Sequence, residues 1–278
     1  MCDTCGGHAP GAGPGDWDAD RGQGGPGHAP GGGTAHRHGD GPPHVHGEAG
    51  RHASTRVEVD PVAGNVVGNN HHAADRVRQD LTRRGILMLN LTSGPGSGKT
   101  ALLKATLAAL EPDTAAVLVG DLETDRDAAR LRGLGAQVRQ INTGKGCHLS
   151  AVQVASGLGR LDLNGLEYLF VENVGNMACP SEFDLGEHGR VALLSLPEGD
   201  DKVAKYPGLF AAADVVVLNK IDLAQVLPFD ESLVREDLSR VNTRAPLIRL
   251  SAVGGQGVDA WMHWLRSFRA QALKAVPA

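Results

Sequence analysis

The chain has 278 residues with 27 Lys and Arg against 32 Asp and Glu, a net charge of -5 and a charged fraction of 21 %. That mild acidity gives nucleic acid no electrostatic footprint to bind, and no apolar run reaches the length a bilayer requires. Four cysteines in a chain of this size are too few for a disulfide framework and read as metal ligands, reactive thiols or buried apolar residues in a reducing cytosol. The opening Met1-Cys2-Asp3-Thr4-Cys5-Gly6-Gly7 has no apolar stretch of the kind a secretory signal needs, so the expected compartment is cytoplasmic.

Composition divides the chain in two. Sixteen of the 38 glycines precede residue 54, almost without large apolar residues, so this stretch buries too little surface to offset the entropy of ordering it. Residues 1–56 are therefore expected to be a disordered extension, with a transition to about residue 75, and residues 57–278 to form the folded domain. The extension carries His8, His28, His36, His38, His44, His46 and His52, scattered rather than in one run, beside Cys2 and Cys5. A C-x-x-C pair among many imidazoles reads as a metal-gathering arm.

From Asp75 onward the pattern is globular. Val77 to Arg84 predicts a short helix ending at Gly85, and Ile86 to Leu91 a strand covered on both faces. A glycine-rich turn leads into a helix over Lys99 to Leu110. Further strands are expected at 116–119, 168–171, 191–196, 215–218 and 247–250, alternating with helices over 125–134, 149–161, 232–241 and 258–275. Strand–helix alternation of this kind predicts an α/β fold with a mostly parallel sheet flanked by helices.

Ser93-Gly94-Pro95-Gly96-Ser97-Gly98-Lys99-Thr100 follows the first strand and opens a helix, the setting a P-loop needs. Gly94, Gly96, Ser97 and Gly98 let backbone N–H groups approach phosphate; Lys99 supplies charge to the β- and γ-phosphates and Thr100 a hydroxyl for Mg²⁺. Ser93 stands where the motif usually begins with glycine. Asn219-Lys220-Ile221-Asp222 follows another apolar strand. The Asp222 carboxylate matches guanine N1–H and N2–H₂, a donor pair that adenine lacks. Lys220 would lie across the base, Asn219 would brace the loops, and Ser251-Ala252 would offer a backbone N–H to guanine O6. Asp121 after Gly120, and Glu172 ahead of Gly175, end two strands where Mg²⁺ and the γ-phosphate are sensed in such folds. These residues predict binding of GTP with Mg²⁺ and its hydrolysis; with no glutamine after Glu172 to orient water, turnover should be slow. An ATP-dependent kinase is disfavoured by the guanine-reading element.

Cys147-His148 precedes a helix and Cys179-Pro180 follows Gly175 closely. Two thiolates and an imidazole suit Zn²⁺ or Ni²⁺ rather than Mg²⁺, with the remaining ligand from water or a second subunit.

The strings 93–100, Gly120-Asp121-Leu122-Glu123-Thr124-Asp125-Arg126-Asp127-Ala128, Asn142-Thr143-Gly144-Lys145-Gly146-Cys147-His148 and Glu172-Asn173-Val174-Gly175-Asn176 resemble those of the hydrogenase nickel-incorporation GTPases of the HypB type. So do Phe183-Asp184-Leu185-Gly186-Glu187, Pro197-Glu198-Gly199-Asp200-Asp201-Lys202 and 219–222, so that the likeness spans residues 55–278. The resemblance implies a P-loop GTPase that loads nickel into the [NiFe] hydrogenase large subunit alongside another nickel chaperone. It further implies a GTP-dependent homodimer and a nickel or zinc site from Cys147, His148 and Cys179 near its interface. Some members begin C-x-x-C-G-C; Gly7 replaces the last of those cysteines here, and the histidine-rich tail is similar to that of members thought to store nickel. A urease-type nickel-insertion GTPase is the nearest alternative, disfavoured by the missing Cys-Pro-His signature, and a nickel buffer with secondary GTPase activity is another.

Overall fold

The computed structural model describes residues 61–121, 128, 131–143, 148–178 and 183–274, all within the compact unit Val59–Ala278. The metal-arm residues Cys2, Cys5, His36, His38, His44 and His46, the expected boundary at residue 56, and Cys147 and Cys179 lie outside the described residues.

In chain order the elements are α1 (Pro61–Arg83), β1 (Leu87–Ser93), α2 (Lys99–Ala108), β2 (Ala115–Asp121), β3 (Ala136–Asn142), α3 (Ala151–Leu158) and β4 (Tyr168–Glu172). There follow β5 (Gly189–Ser195), α4 (Lys202–Lys205), α5 (Pro207–Ala211), β6 (Val215–Asn219), α6 (Glu231–Val241), β7 (Leu247–Arg249) and α7 (Val258–Ala272). The strands form one seven-stranded sheet in the order β3-β2-β4-β1-β5-β6-β7, parallel at every pairing.

Alternation along the strands builds a core on each face. Leu87, Leu89 and Leu91 of β1, with Val117, Phe170, Leu193 and Val217, pack against Leu102, Leu103 and Leu107 of α2 and Trp261, Met262 and Leu265 of α7. On the opposite face Met88, Leu118 and Leu169 meet Val77 and Leu81 of α1 and Val154 and Leu158 of α3. Farther along that face, Leu194 and Val216 meet Leu209 and Phe210 of α5 and Val234 and Leu238 of α6. Because both faces are covered, the central strands read as continuous apolar runs.

The differences from expectation have local causes. The first helix is not a single turn or two after residue 77 but runs from Pro61, through the stretch expected to be a transition to order. Within it Asn70, Ala74, Val77 and Leu81 are buried; their spacing of three and four residues is one helical face, with a polar residue at its start that hid the pattern. The strand β3 escapes a reading based on apolar runs because it is an edge strand, burying only Val138 and Ile141. The third helix is shorter than 149–161, starting at Ala151 where Ser150 forms a capping box with Gln153. Most of the helix expected over 125–134 lies outside the described residues; Ala128 and Leu131 are buried in the α2 face of the core.

Candidate nucleotide site

Register places the site. Leu91 pairs with Glu172, Ser93 with Leu193, and Ser195 with Asn219, so the carboxyl ends of β1, β4, β5 and β6 form one edge. The loop from β1 to α2 crosses that edge, where parallel sheets bind ligands.

The phosphate loop is held by its own hydroxyls. Ser93 Oγ donates to the Gly94 carbonyl at 2.8 Å and accepts from Lys99 Nζ at 2.9 Å. Ser97 Oγ bonds to Ser93 Oγ and lies 3.0 Å from the Gly94 carbonyl. Serine at position 93 is thus an anchor for the P-loop lysine, a role its departure from the usual glycine did not reveal. Gly98, with φ of 103°, forms the left-handed cap from which α2 starts, directing the first N–H groups of that helix at the loop. An added Cβ there would lie 2.3 Å from Asn219 Nδ2, so this glycine answers both to its backbone conformation and to a close neighbour.

Asn219 is buried at the end of β6 and joins three loops. Its Nδ2 donates to the Ser97 carbonyl at 2.9 Å, while its Oδ1 accepts from Lys220 N at 2.8 Å and from Ala252 N at 3.1 Å. Lys220 adopts the left-handed conformation (φ 60°), uncommon for a side chain of its kind, and reaches back to donate from Nζ to the Gly96 carbonyl at 2.6 Å. Asp222 follows on a short 3-10 turn, exposed at the same edge. Ser251 is buried and closes its own turn: its Oγ accepts from Gly254 N at 3.0 Å, and its N donates to the Gln256 carbonyl. The guanine-reading residues proposed from sequence therefore meet the phosphate loop through direct bonds from Asn219 and Lys220.

On the other flank Thr100 Oγ1 donates to Glu172 Oε1 at 2.7 Å. With its proton committed to the carboxylate, the hydroxyl oxygen keeps lone pairs for a cation. A hydroxyl and a carboxylate side by side are the hard oxygen donors Mg²⁺ prefers. Asp121 ends β2, beside Asn142 in the register; its side chain lies outside the described residues. A Cβ on Gly175 would stand 3.1 Å from Pro95 Cα, so the loop after β4 runs against the phosphate loop at backbone distance. Met177 and Glu198 close the near side: a Cβ on Gly94 would meet Glu198 Oε1 at 2.5 Å and Met177 Sδ at 3.4 Å. Sequence reasoning assigned no role to Glu198, whose other oxygen caps Ser195 N at 2.8 Å.

The His148 loop lies across the sheet from Lys220, beyond β2. Its ring stacks on Phe183 with centroids 3.6 Å apart and planes 11° from parallel. Leu149 fills the space above Gly120, where a Cβ would come within 2.7 Å of its side chain. Among the described residues no group of three His, Cys, Asp or Glu side chains gathers as a metal site. Nor is any described helix long and apolar enough to cross a membrane.

A second histidine has a structural job. His188 Nδ1 accepts from Met88 N at 3.0 Å, so the ring proton sits on Nε2, which lies 2.9 Å from Thr82 Oγ1; that hydroxyl donates onward to the Arg78 carbonyl at 2.7 Å. Burial, reinforced by the nearby Arg78 charge, lowers the imidazole pKa from 6.5 to about 4.

Residues 87–249 match the family model of the CobW/HypB/UreG nucleotide-binding domain. Over 214 residues the chain is 46 % identical to the hydrogenase maturation factor HypB of Escherichia coli K12, covering 77 % of this chain and 72 % of that protein. It is 37 % identical over 208 residues to the hydrogenase/urease maturation factor HypB of Helicobacter pylori, covering 73 % and 86 %. Its fold superposes on the crystal structure of HypB from Helicobacter pylori in complex with nickel with a TM-score of 0.71 at 36 % identity, covering 76 % of this chain and 99 % of that one. HypB from Archaeoglobus fulgidus superposes with a TM-score of 0.67 at 35 % identity, covering 73 % and 99 %. With its phosphate loop, its Asn219 junction and likenesses of this extent, the chain belongs to the CobW/HypB/UreG family of P-loop proteins and, within it, to the HypB hydrogenase maturation factors.

Proposed function

We propose that this protein hydrolyses GTP and uses the cycle to deliver nickel during maturation of [NiFe] hydrogenase. The observation that carries the guanine assignment is Asn219, whose single amide fastens the phosphate loop to both loops that would face the base. With those loops fixed, the Asp222 carboxylate pairs with guanine N1–H and N2–H₂ and Lys220 covers the base; the Ser251 and Ala252 N–H groups expected from the sequence to meet O6 donate instead to the Gln256 carbonyl and to Asn219 Oδ1. Gly94, Gly96, Ser97 and Gly98 cradle the phosphates and Lys99 neutralises them. Thr100 and Glu172 would hold Mg²⁺, with Asp121 a further candidate ligand at the end of β2; the ion would supply charge stabilisation to the phosphates as the bond to the γ-phosphorus breaks. Water adds to the γ-phosphorus as the bridging P–O bond breaks, giving GDP, inorganic phosphate and the proton lost from the water. Gly175, at backbone distance from Pro95, senses whether the γ-phosphate is present.

The nickel assignment draws support from the nickel complex of the Helicobacter pylori relative and from the ligand types of Cys147, His148 and Cys179. Zn²⁺ suits the same donors. Cys2, Cys5, His36, His38, His44 and His46 in the extension of residues 1–56 would gather further nickel, ahead of a G domain over 57–278. We take the working form to be a cytoplasmic homodimer brought together by GTP, acting with a second nickel chaperone and the hydrogenase large subunit. The Helicobacter relatives, called hydrogenase/urease maturation factors, favour urease as a second recipient. The test is nickel affinity of the full chain with a non-hydrolysable GTP analogue and with GDP. A difference of tenfold or so, about 1.4 kcal/mol, is expected, and identical affinities would remove the switch from the proposal.

A further inference from the structure

One side chain on α1 stands between the two segments that bring His148 and Phe183 together. Asn70 is buried. Its Oδ1 accepts from Ala151 N at 2.8 Å, the first residue of α3 and only three beyond His148. Its Nδ2 donates to the Asp184 carbonyl at 2.7 Å, the residue after Phe183. Those bonds and the 3.6 Å ring stack close a circuit: Asn70 to Ala151, back to His148, across to Phe183, on to Asp184 and home.

The circuit is fixed to α1 at further points. Two helical turns on from Asn70, Arg78 grips the Asp184 carboxylate with one guanidinium nitrogen at 2.6 and 2.7 Å, and its Nε donates to the Glu187 carbonyl at 3.2 Å. Gly186, at φ of 87°, lets the segment lie on the helix; a Cβ there would come within 2.6 Å of the Ala74 carbonyl. The amide supplies a donor and an acceptor on separate atoms over this short reach. Ala151 N is one of the helix N-terminal donors that no intrahelical carbonyl satisfies, so Asn70 also completes the cap that Ser150 begins.

We infer that Asn70 is the positioning residue of His148: it sets the spacing between the His148 loop and segment 183–187, and so holds the imidazole ready for a soft divalent cation. The inference rests on the proposed reading of His148 as a metal ligand. A ring already held against Phe183 loses little freedom on binding, whereas an untethered loop must be ordered at that moment. Residues that orient a ligand without touching the metal typically govern affinity to this extent.

The test uses the full chain, ring-labelled with ¹⁵N histidine, with the His148 signals assigned from their loss in His148→Ala. Face-to-face stacking on Phe183 places them upfield. In Asn70→Leu we expect that shift to collapse and zinc, titrated as a diamagnetic probe and followed at His148 itself, to bind at least about tenfold more weakly. Asn70→Asp keeps the acceptor for Ala151 and loses the donor to Asp184, and should fall between; it serves as the readout if the leucine variant fails to fold. GDP affinity should stay within about twofold in both, since Asn70 touches no part of the phosphate loop. Unchanged His148 signals and zinc affinity in both variants would overturn the inference. A collapsed shift in the variants alongside a wild-type His148 that ignores zinc would instead sink the metal reading and leave the positioning role standing.

Discussion

At the β1–β6 side of the sheet the loops are tied by one strand-end amide and one lysine, Asn219 and Lys220, bonding straight onto the phosphate loop. At the β2–β4 side the loops are tied from outside the sheet, by α1, through Asn70 and Arg78. The first arrangement is short-ranged and set by backbone conformations that only particular residues adopt, Gly98 and Lys220 among them. The second depends on a helix whose side-chain bonds run to Ala151 and to segment 184–187 rather than to the phosphate loop. Under the proposed switch the two sides answer to different ties: Asn70 bonds at the segments that carry His148 and Phe183, while Asn219 bonds at the phosphate loop.

That contrast can be broken first at Asp222. Asp222→Ala should erase most of the preference for guanine over adenine nucleotides, on the order of 10⁴-fold, measured by competition against a fluorescent GDP. Melting temperature without nucleotide should barely move, because Asp222 is exposed. Next is Gly98→Ala, whose Cβ would strike Asn219 and whose φ of 103° is strained for alanine. A cost of up to about 3 kcal/mol, roughly a hundredfold, is expected in GDP affinity.

Much of this is legible in the sequence. The phosphate loop and Asn219 to Asp222 are contiguous strings whose chemistry needs specific residues in order, so the sequence displays them directly. Both-face burial made the central strands equally plain. What stayed hidden is what distance in the chain conceals. Asn70 lies 81 residues from Ala151 and 114 from Asp184, and looks like any polar helix residue until the fold brings those backbones to it. Edge strand β3 hid because only two of its side chains are buried. Ser93 was visible, but its bond to Lys99 depends on the turn that six residues make.

A third prediction sharpens the α1 side. His188 is held neutral between Met88 N and Thr82, with its pKa near 4 in the fold against 6.5 in the unfolded chain. The unfolded chain therefore takes up a proton first as pH falls. The stability that His188 contributes is present above pH 6.5 and is lost as pH drops toward 4, by about 2 kcal/mol once screening at a partly exposed ring is allowed for. Denaturant midpoints of wild type and His188→Asn between pH 7.5 and 4.5, on the order of that window, would check it: the variant should show a flatter profile. The smallest effect is at the far face. Trp261 Nε1 donates to Thr106 Oγ1 at 2.8 Å in the core, so Trp261→Phe should cost about 1–2 kcal/mol in unfolding free energy and leave GDP binding alone.

The most direct trial is calorimetric titration of the purified full chain, stripped of nucleotide, with GDP and with ADP in the presence of Mg²⁺. GDP should bind one-to-one and at least about a thousandfold more tightly than ADP, as a carboxylate matched to the guanine edge requires. Equal affinity for the two, or no binding of either, would contradict the account at its root.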